Sequence, residues 1–172
     1  MGPIESAAAK AGIAAAAIVI VLVRTRRLPR AELGLVAPSW LRALPIVLLY
    51  LGWMLASDAA LHWRGPWDFA PWLAAPPLAS ALRVAAVGLL GPIAEELIFR
   101  GWFFGLLGRR LGMVAAILLT AIGWTVLHYQ YAMPVLGVIL VDGLLLGLAR
   151  WRTGSVYPPI LMHVLYNLYA VW

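Results

Sequence analysis

The chain has 172 residues, 64% of them hydrophobic and only 12% charged. A soluble domain carries roughly 25% charged residues, so there is too little polar surface here to cover a water-soluble globule. Cysteine is absent, which excludes disulfides, thiolate nucleophiles and thiolate metal sites.

Apolar runs separated by arginine clusters or Pro/Trp-rich stretches divide the chain. The first run, residues 11–23, reaches back to Ile4 if Lys10 snorkels to the interface. It has no small-residue cleavage site and ends in Arg24, Arg26, Arg27 and Arg30, so it reads as an anchor rather than a removed signal peptide. The second run covers residues 41–56. Residues 57–77 hold Asp58, Arg64 and Asp68 with Trp63, Trp67 and Trp72, a composition that suits an interfacial loop. A third run starts at residue 78, is interrupted at Gly91-Pro92 and resumes to residue 107. Proline is favourable at the first position of a helix, so a broken span with a new helix at Pro92 is expected. Residues 111–128, 133–149 and 156–172 complete the set. Six spans of ~20 residues use about 120 residues. The expected fold is therefore all-α: one integral membrane domain over residues 1–172, a polytopic bundle of about six transmembrane helices.

Arginines set the orientation. With the N-terminus outside, the inner connections hold Arg24, Arg26, Arg27, Arg30, Arg42, Arg109, Arg110, Arg150 and Arg152, and the outer segments hold Lys10 and Arg64. This positive-inside bias accounts for most of the net charge of +6. The partner of the basic charge is thus the lipid bilayer of a cell membrane, with no need of nucleic acid.

Ionisable groups inside an apolar span are costly and are functional candidates by default. Here they are Arg83, Glu95, Glu96, Arg100, His128, Asp142 and His163, with the amide Asn167. Glu96 and Arg100 are four apart and can pair on one helix face. Glu95 points about 100° away from Glu96. His163 and Asn167, like Trp124 and His128, repeat the spacing of four. Counted at ~1.5 Å per residue from the inner arginines, Glu95 lies roughly 21 Å up, His128 roughly 27 Å, His163 roughly 17 Å and Asn167 roughly 23 Å. All four fall in the outer half of a ~30 Å core, with the mouth of the site on the non-cytoplasmic side. Arg100 and Asp142 lie deeper, close enough in depth to pair. A carboxylate and an imidazole sharing a water suit general-base hydrolysis, and a second imidazole with a carboxamide suits an oxyanion. Attack of water on an amide is the chemistry this set fits.

The run Glu95-Glu96-Leu97-Ile98-Phe99-Arg100 resembles the EExxxR motif of the CPBP family, the type II CAAX prenyl endopeptidases and their bacteriocin-processing or immunity relatives. Trp124 to His128 resembles the family's FxxxH, with tryptophan in place of phenylalanine, and His163 to Asn167 its HxxxN/D. The three motifs occur in order within a core of about residues 78–172. The resemblance implies a glutamate-dependent intramembrane endopeptidase. In it Glu95 activates water with His128, His163 and Asn167 form the oxyanion hole, and Glu96 with Arg100 positions Glu95. No cofactor is implied. Zinc held by the glutamates and histidines is the alternative, but the spacing is not a helical HExxH.

The substrate implied is a membrane-anchored protein. An outward-facing mouth favours an exported one, such as a protein whose C-terminal sorting tag is trimmed, as short members of the myxosortase type imply. The alternatives are a CAAX-type prenyl-protein endopeptidase and a non-enzymatic immunity or assembly factor. An aspartyl dyad lacks a second member beside Asp142, and Ser155 stands in a short inner loop without a rhomboid-like setting.

Overall fold

The structure, a computed structural model, describes residues 2–62 and 70–171. Among these residues every regular element is helical: α1 (Pro3–Thr25), α2 (Trp40–Leu61), the short α3 (Ala70–Ala74), α4 (Pro77–Leu111), α5 (Met113–Val126), α6 (Met133–Thr153) and α7 (Tyr157–Ala170). The chain is an all-α polytopic bundle, as its composition requires. Helices α1, α2, α4 and α6 are long and apolar enough to cross a membrane. Helices α5 and α7 have 14 residues each, which is about 21 Å of rise against a ~30 Å core. These two shorter helices carry the histidines of the second and third motifs or end just before them.

Helix α4 is the axis of the fold. It packs against α1 on one side and against α5 and α7 on the other, while α2 closes the bundle against α6 and α7. The interruption expected at Gly91-Pro92 takes a milder form than a break. Helix α4 runs through it, but its hydrogen bonding changes from a π-helical turn over Val84–Leu90 to an α-helical stretch from Gly91. The Gly91 N–H bonds the carbonyl of Ala86, five residues back. A proline ring clashes with the carbonyl four residues before it and supplies no N–H, and a widened turn absorbs that misfit without parting the helix. A second π-helical stretch, Leu97–Phe103, follows. The two glutamates therefore sit between two widened turns, a feature frequent at functional sites.

Two further boundaries differ from expectation. Helix α2 continues to Leu61, so residues 57–61 are helix and not loop. Their polar groups have partners there: Ser57 Oγ donates to the Met54 carbonyl at 3.0 Å, and Asp58 accepts from the Tyr169 hydroxyl at 2.5 Å. Helix α5 stops at Val126, which leaves His128 in the turn that follows. Trp63, Arg64, Trp67 and Asp68 lie outside the described residues.

Close approach of α5 and α6 depends on a missing side chain. A Cβ at Gly143 would stand 3.0 Å from Ala121 Cα and 3.3 Å from an Arg100 terminal nitrogen. Small residues let membrane helices meet backbone to backbone, and here that brings the Gly143 carbonyl within reach of α4. At the arginine-rich end, the α1–α2 connection is stitched across the bundle. Arg109 pairs with Glu32, Arg150 donates to the carbonyls of Glu32 (3.1 Å) and Arg100 (2.9 Å), and Ser155 Oγ donates to the Val36 carbonyl at 2.7 Å.

Candidate active site

Glu95 and Glu96 are adjacent in sequence and opposite in environment. The Glu96 side chain is 0% exposed and the Glu95 side chain 36%, as the 100° between successive helical positions requires. Glu96 Oε1 accepts from Arg100 at 2.9 Å, the i,i+4 pair expected from spacing. The other arm of the Arg100 guanidinium donates to the Gly143 carbonyl at 3.0 Å. This replaces the pairing with Asp142 that matched depth suggested: one residue along α6, a backbone oxygen faces α4 directly. Among the described residues Asp142 Oδ1 has no hydrogen-bond partner.

Glu96 has a second partner that spacing did not disclose. His163 Nδ1 lies 3.0 Å from Glu96 Oε1. The oxygen that accepts from Arg100 accepts here as well, so His163 Nδ1 donates and Nε2 is turned toward the other glutamate. There it stands 4.0 Å from Glu95 Oε2. Glu96 thus orients an imidazole as well as pairing an arginine.

Trp124, 4% exposed, is the hub of the site. Its indole N–H donates to Glu95 Oε2 at 2.6 Å. The His128 and His163 rings meet the indole edge-on, with centroids 4.9 and 5.1 Å away, and the Arg100 guanidinium carbon lies 5.1 Å from its ring centre. His128 Nδ1 is 2.9 Å from the carbonyl of Trp124, a bond that keeps the ring beside α5 although the helix has ended. A carbonyl only accepts, so Nδ1 donates there and Nε2 is not engaged by that bond. Asn167 Nδ2 donates to the Val87 carbonyl at 2.9 Å. An amide nitrogen carries two protons, so this anchor commits only one of them.

The structure therefore joins Glu95, His163 and Trp124 directly. It places His128 against Trp124 and ties Asn167 to α4 two helical turns before Glu95. Glu96 and Arg100 close a buried network behind them. Sequence reasoning missed Trp124 as a hydrogen-bond donor and Glu96 as a partner of His163. The signal for the first was present, since a buried indole N–H needs an acceptor.

Among the described residues, no three His, Asp or Glu side chains gather as a metal site requires. Glu96 Oε1 is shared by Arg100 and His163.

The family model for type II CAAX prenyl endopeptidases, Rce1-like, matches residues 77–169. The chain belongs to this family. The matched region runs from the start of α4 to the end of α7 and contains all three motifs, in agreement with the CPBP resemblance. Membership makes the chain a multi-pass membrane endopeptidase of the CAAX type, a hydrolase whose substrate is a protein. No curated protein and no solved structure matches it.

Proposed function

We propose that the chain is a glutamate-dependent intramembrane endopeptidase in which Glu95 is the general base. Trp124 holds Glu95 Oε2, which leaves Oε1 to take a water, and the free Nε2 of His128 accepts that water's second proton in a hydrogen bond. As the water oxygen bonds to the peptide carbon, Glu95 takes one proton and the carbonyl electron pair moves onto oxygen. The resulting oxyanion is met by His163, whose Nε2 is turned toward Glu95, and by the uncommitted Asn167 proton. Preorganised donors of this kind supply the largest single share of rate enhancement in many hydrolases. Collapse of the intermediate breaks the C–N bond, and the proton on Glu95 passes to the departing amine.

The observation that carries this reading is the contrast between neighbouring glutamates, one closed in a buried network and the other open with one oxygen already fixed. No step requires a metal. The substrate we propose is a membrane-anchored, exported polypeptide, trimmed near its C-terminus. Its support is that most of the arginines fall at one end of the bundle, where Arg109 and Arg150 meet Glu32, while Asn167 and its anchor Val87, with Arg83 nearby, lie toward the other.

Mass spectrometry of membrane-protein termini, in cells carrying the wild type or Glu95→Gln, tests the reaction. A terminus produced by the wild type should vanish with Glu95→Gln while the variant stays inserted and abundant. Persistence of every cleaved terminus would refute the hydrolytic role and favour an immunity or assembly function. A reporter fused at Trp172 and active only in the cytoplasm would overturn the outward-facing mouth and restore a cytosolic, prenylated substrate.

A further inference from the structure

The indole of Trp124 touches Glu95, His128 and His163, and its polar atom meets one carboxylate oxygen of the proposed base. It lies in the main apolar core with Tyr50, Phe99 and Met162, so filling space explains the ring. It does not explain the N–H. A phenyl ring at this position would pack against His128, His163 and Arg100 and would leave Glu95 Oε2 without its 2.6 Å donor.

Indole has a chemical property that suits this place. It donates and never accepts, so it holds a carboxylate without entering the proton inventory of the reaction. A histidine, tyrosine or lysine here would compete for the proton that Glu95 must pick up and hand on. A donor bound to a charged acceptor also makes one of the stronger hydrogen bonds available to a side chain. The indole cannot swing away, because Arg100 lies over its face and two imidazoles abut it. Glu95, by contrast, is a flexible side chain with 36% of its surface open. Left alone, it would distribute its carboxylate over several rotamers, most of them unable to present a water to a peptide.

We propose that Trp124 is the positioning residue of the catalytic glutamate: its indole N–H fixes Glu95 Oε2 so that Oε1 alone faces the substrate and its water. This rests on Glu95 as the base proposed above. The two ideas separate in the following experiment, on the full chain in lipid nanodiscs and in cells.

Trp124→Phe removes the N–H and keeps an aromatic ring; 3-benzothienylalanine at position 124 removes it with the indole shape intact, so loosened packing cannot pass for a lost hydrogen bond. Both should slow formation of the wild-type terminus about 10- to 100-fold, the worth of one hydrogen bond to a charged group. The level of inserted protein and its thermal midpoint should hold in the benzothienyl variant. With 15N-labelled indoles, the resonance that disappears in Trp124→Phe should also move in Glu95→Gln and stay in place in Arg109→Ala, whose site is remote. A wild-type processing rate in the benzothienyl variant, with Glu95→Gln inactive, would overturn the positioning role alone. A Trp124 resonance unmoved by Glu95→Gln would overturn the hydrogen bond itself. Full processing in Glu95→Gln would instead remove the reading of Glu95 as base, and the positioning role with it.

Discussion

The two ends of the bundle use the same kinds of polar group for different ends. At the arginine-rich end each group is spent on structure: Arg150 on two backbone carbonyls, Arg109 on Glu32, and Ser155 on the α1–α2 connection. At the motif end the groups are anchored on one side and keep hydrogen-bonding capacity uncommitted on the other. Glu95 keeps one oxygen free of Trp124, His163 presents Nε2 at 4.0 Å from that carboxylate, and Asn167 commits one of two protons. Between the two ends lies the buried Glu96–Arg100–Gly143 network. On the reading proposed above, the polar groups assigned to chemistry are those whose partners leave hydrogen-bonding capacity unspent, and those assigned to architecture are the ones whose partners use it.

Three substitutions sharpen that contrast, from the largest effect to the smallest. Arg100→Met strips Glu96 of its cation while both sit at 0% exposure. An uncompensated buried charge costs about 3–5 kcal/mol, so a large fall in thermal midpoint and in inserted protein is expected, with activity lost as a consequence. A stable Arg100→Met protein would break the assignment of this pair to architecture. Gly143→Ala drives a methyl to 3.0 Å from Ala121 and toward Arg100. Overpacking of that kind costs about 1–3 kcal/mol, to be read as a lowered midpoint together with slower processing, since the Gly143 carbonyl anchors the network behind the site. Arg109→Ala removes a half-exposed pair, and such pairs contribute about 0–1 kcal/mol. Its midpoint and its processing rate should both match the wild type; a marked loss of processing would show that the two ends are coupled.

How much of this was legible in the sequence follows from the range of each interaction. All six apolar runs are helices, because apolar length depends only on local composition. Their ends were less legible where a polar residue finds a partner on another helix, as Asp58 does on Tyr169, since no local pattern reveals that partner. The proline at 92 correctly marked a disturbance, but a proline signals misfit and does not say whether the helix parts or widens. Within the site, helical spacing foretold Glu96 with Arg100 and the divergence of Glu95 from Glu96. It did not foretell contacts between helices. The bond from Trp124 to Glu95 and that from His163 to Glu96 depend on how α5 and α7 rotate against α4, and Arg100 took the Gly143 carbonyl over the Asp142 carboxylate for the same reason.

The most direct measurement compares Glu95→Gln with Glu96→Gln in parallel, scoring the processed terminus per inserted molecule and the thermal midpoint in nanodiscs. Glu95→Gln should process nothing and unfold like the wild type, whereas Glu96→Gln should unfold at a clearly lower temperature, because it removes the charge that answers Arg100 and orients His163. Processing by Glu95→Gln at the wild-type rate would contradict the assignment of the open glutamate as the base.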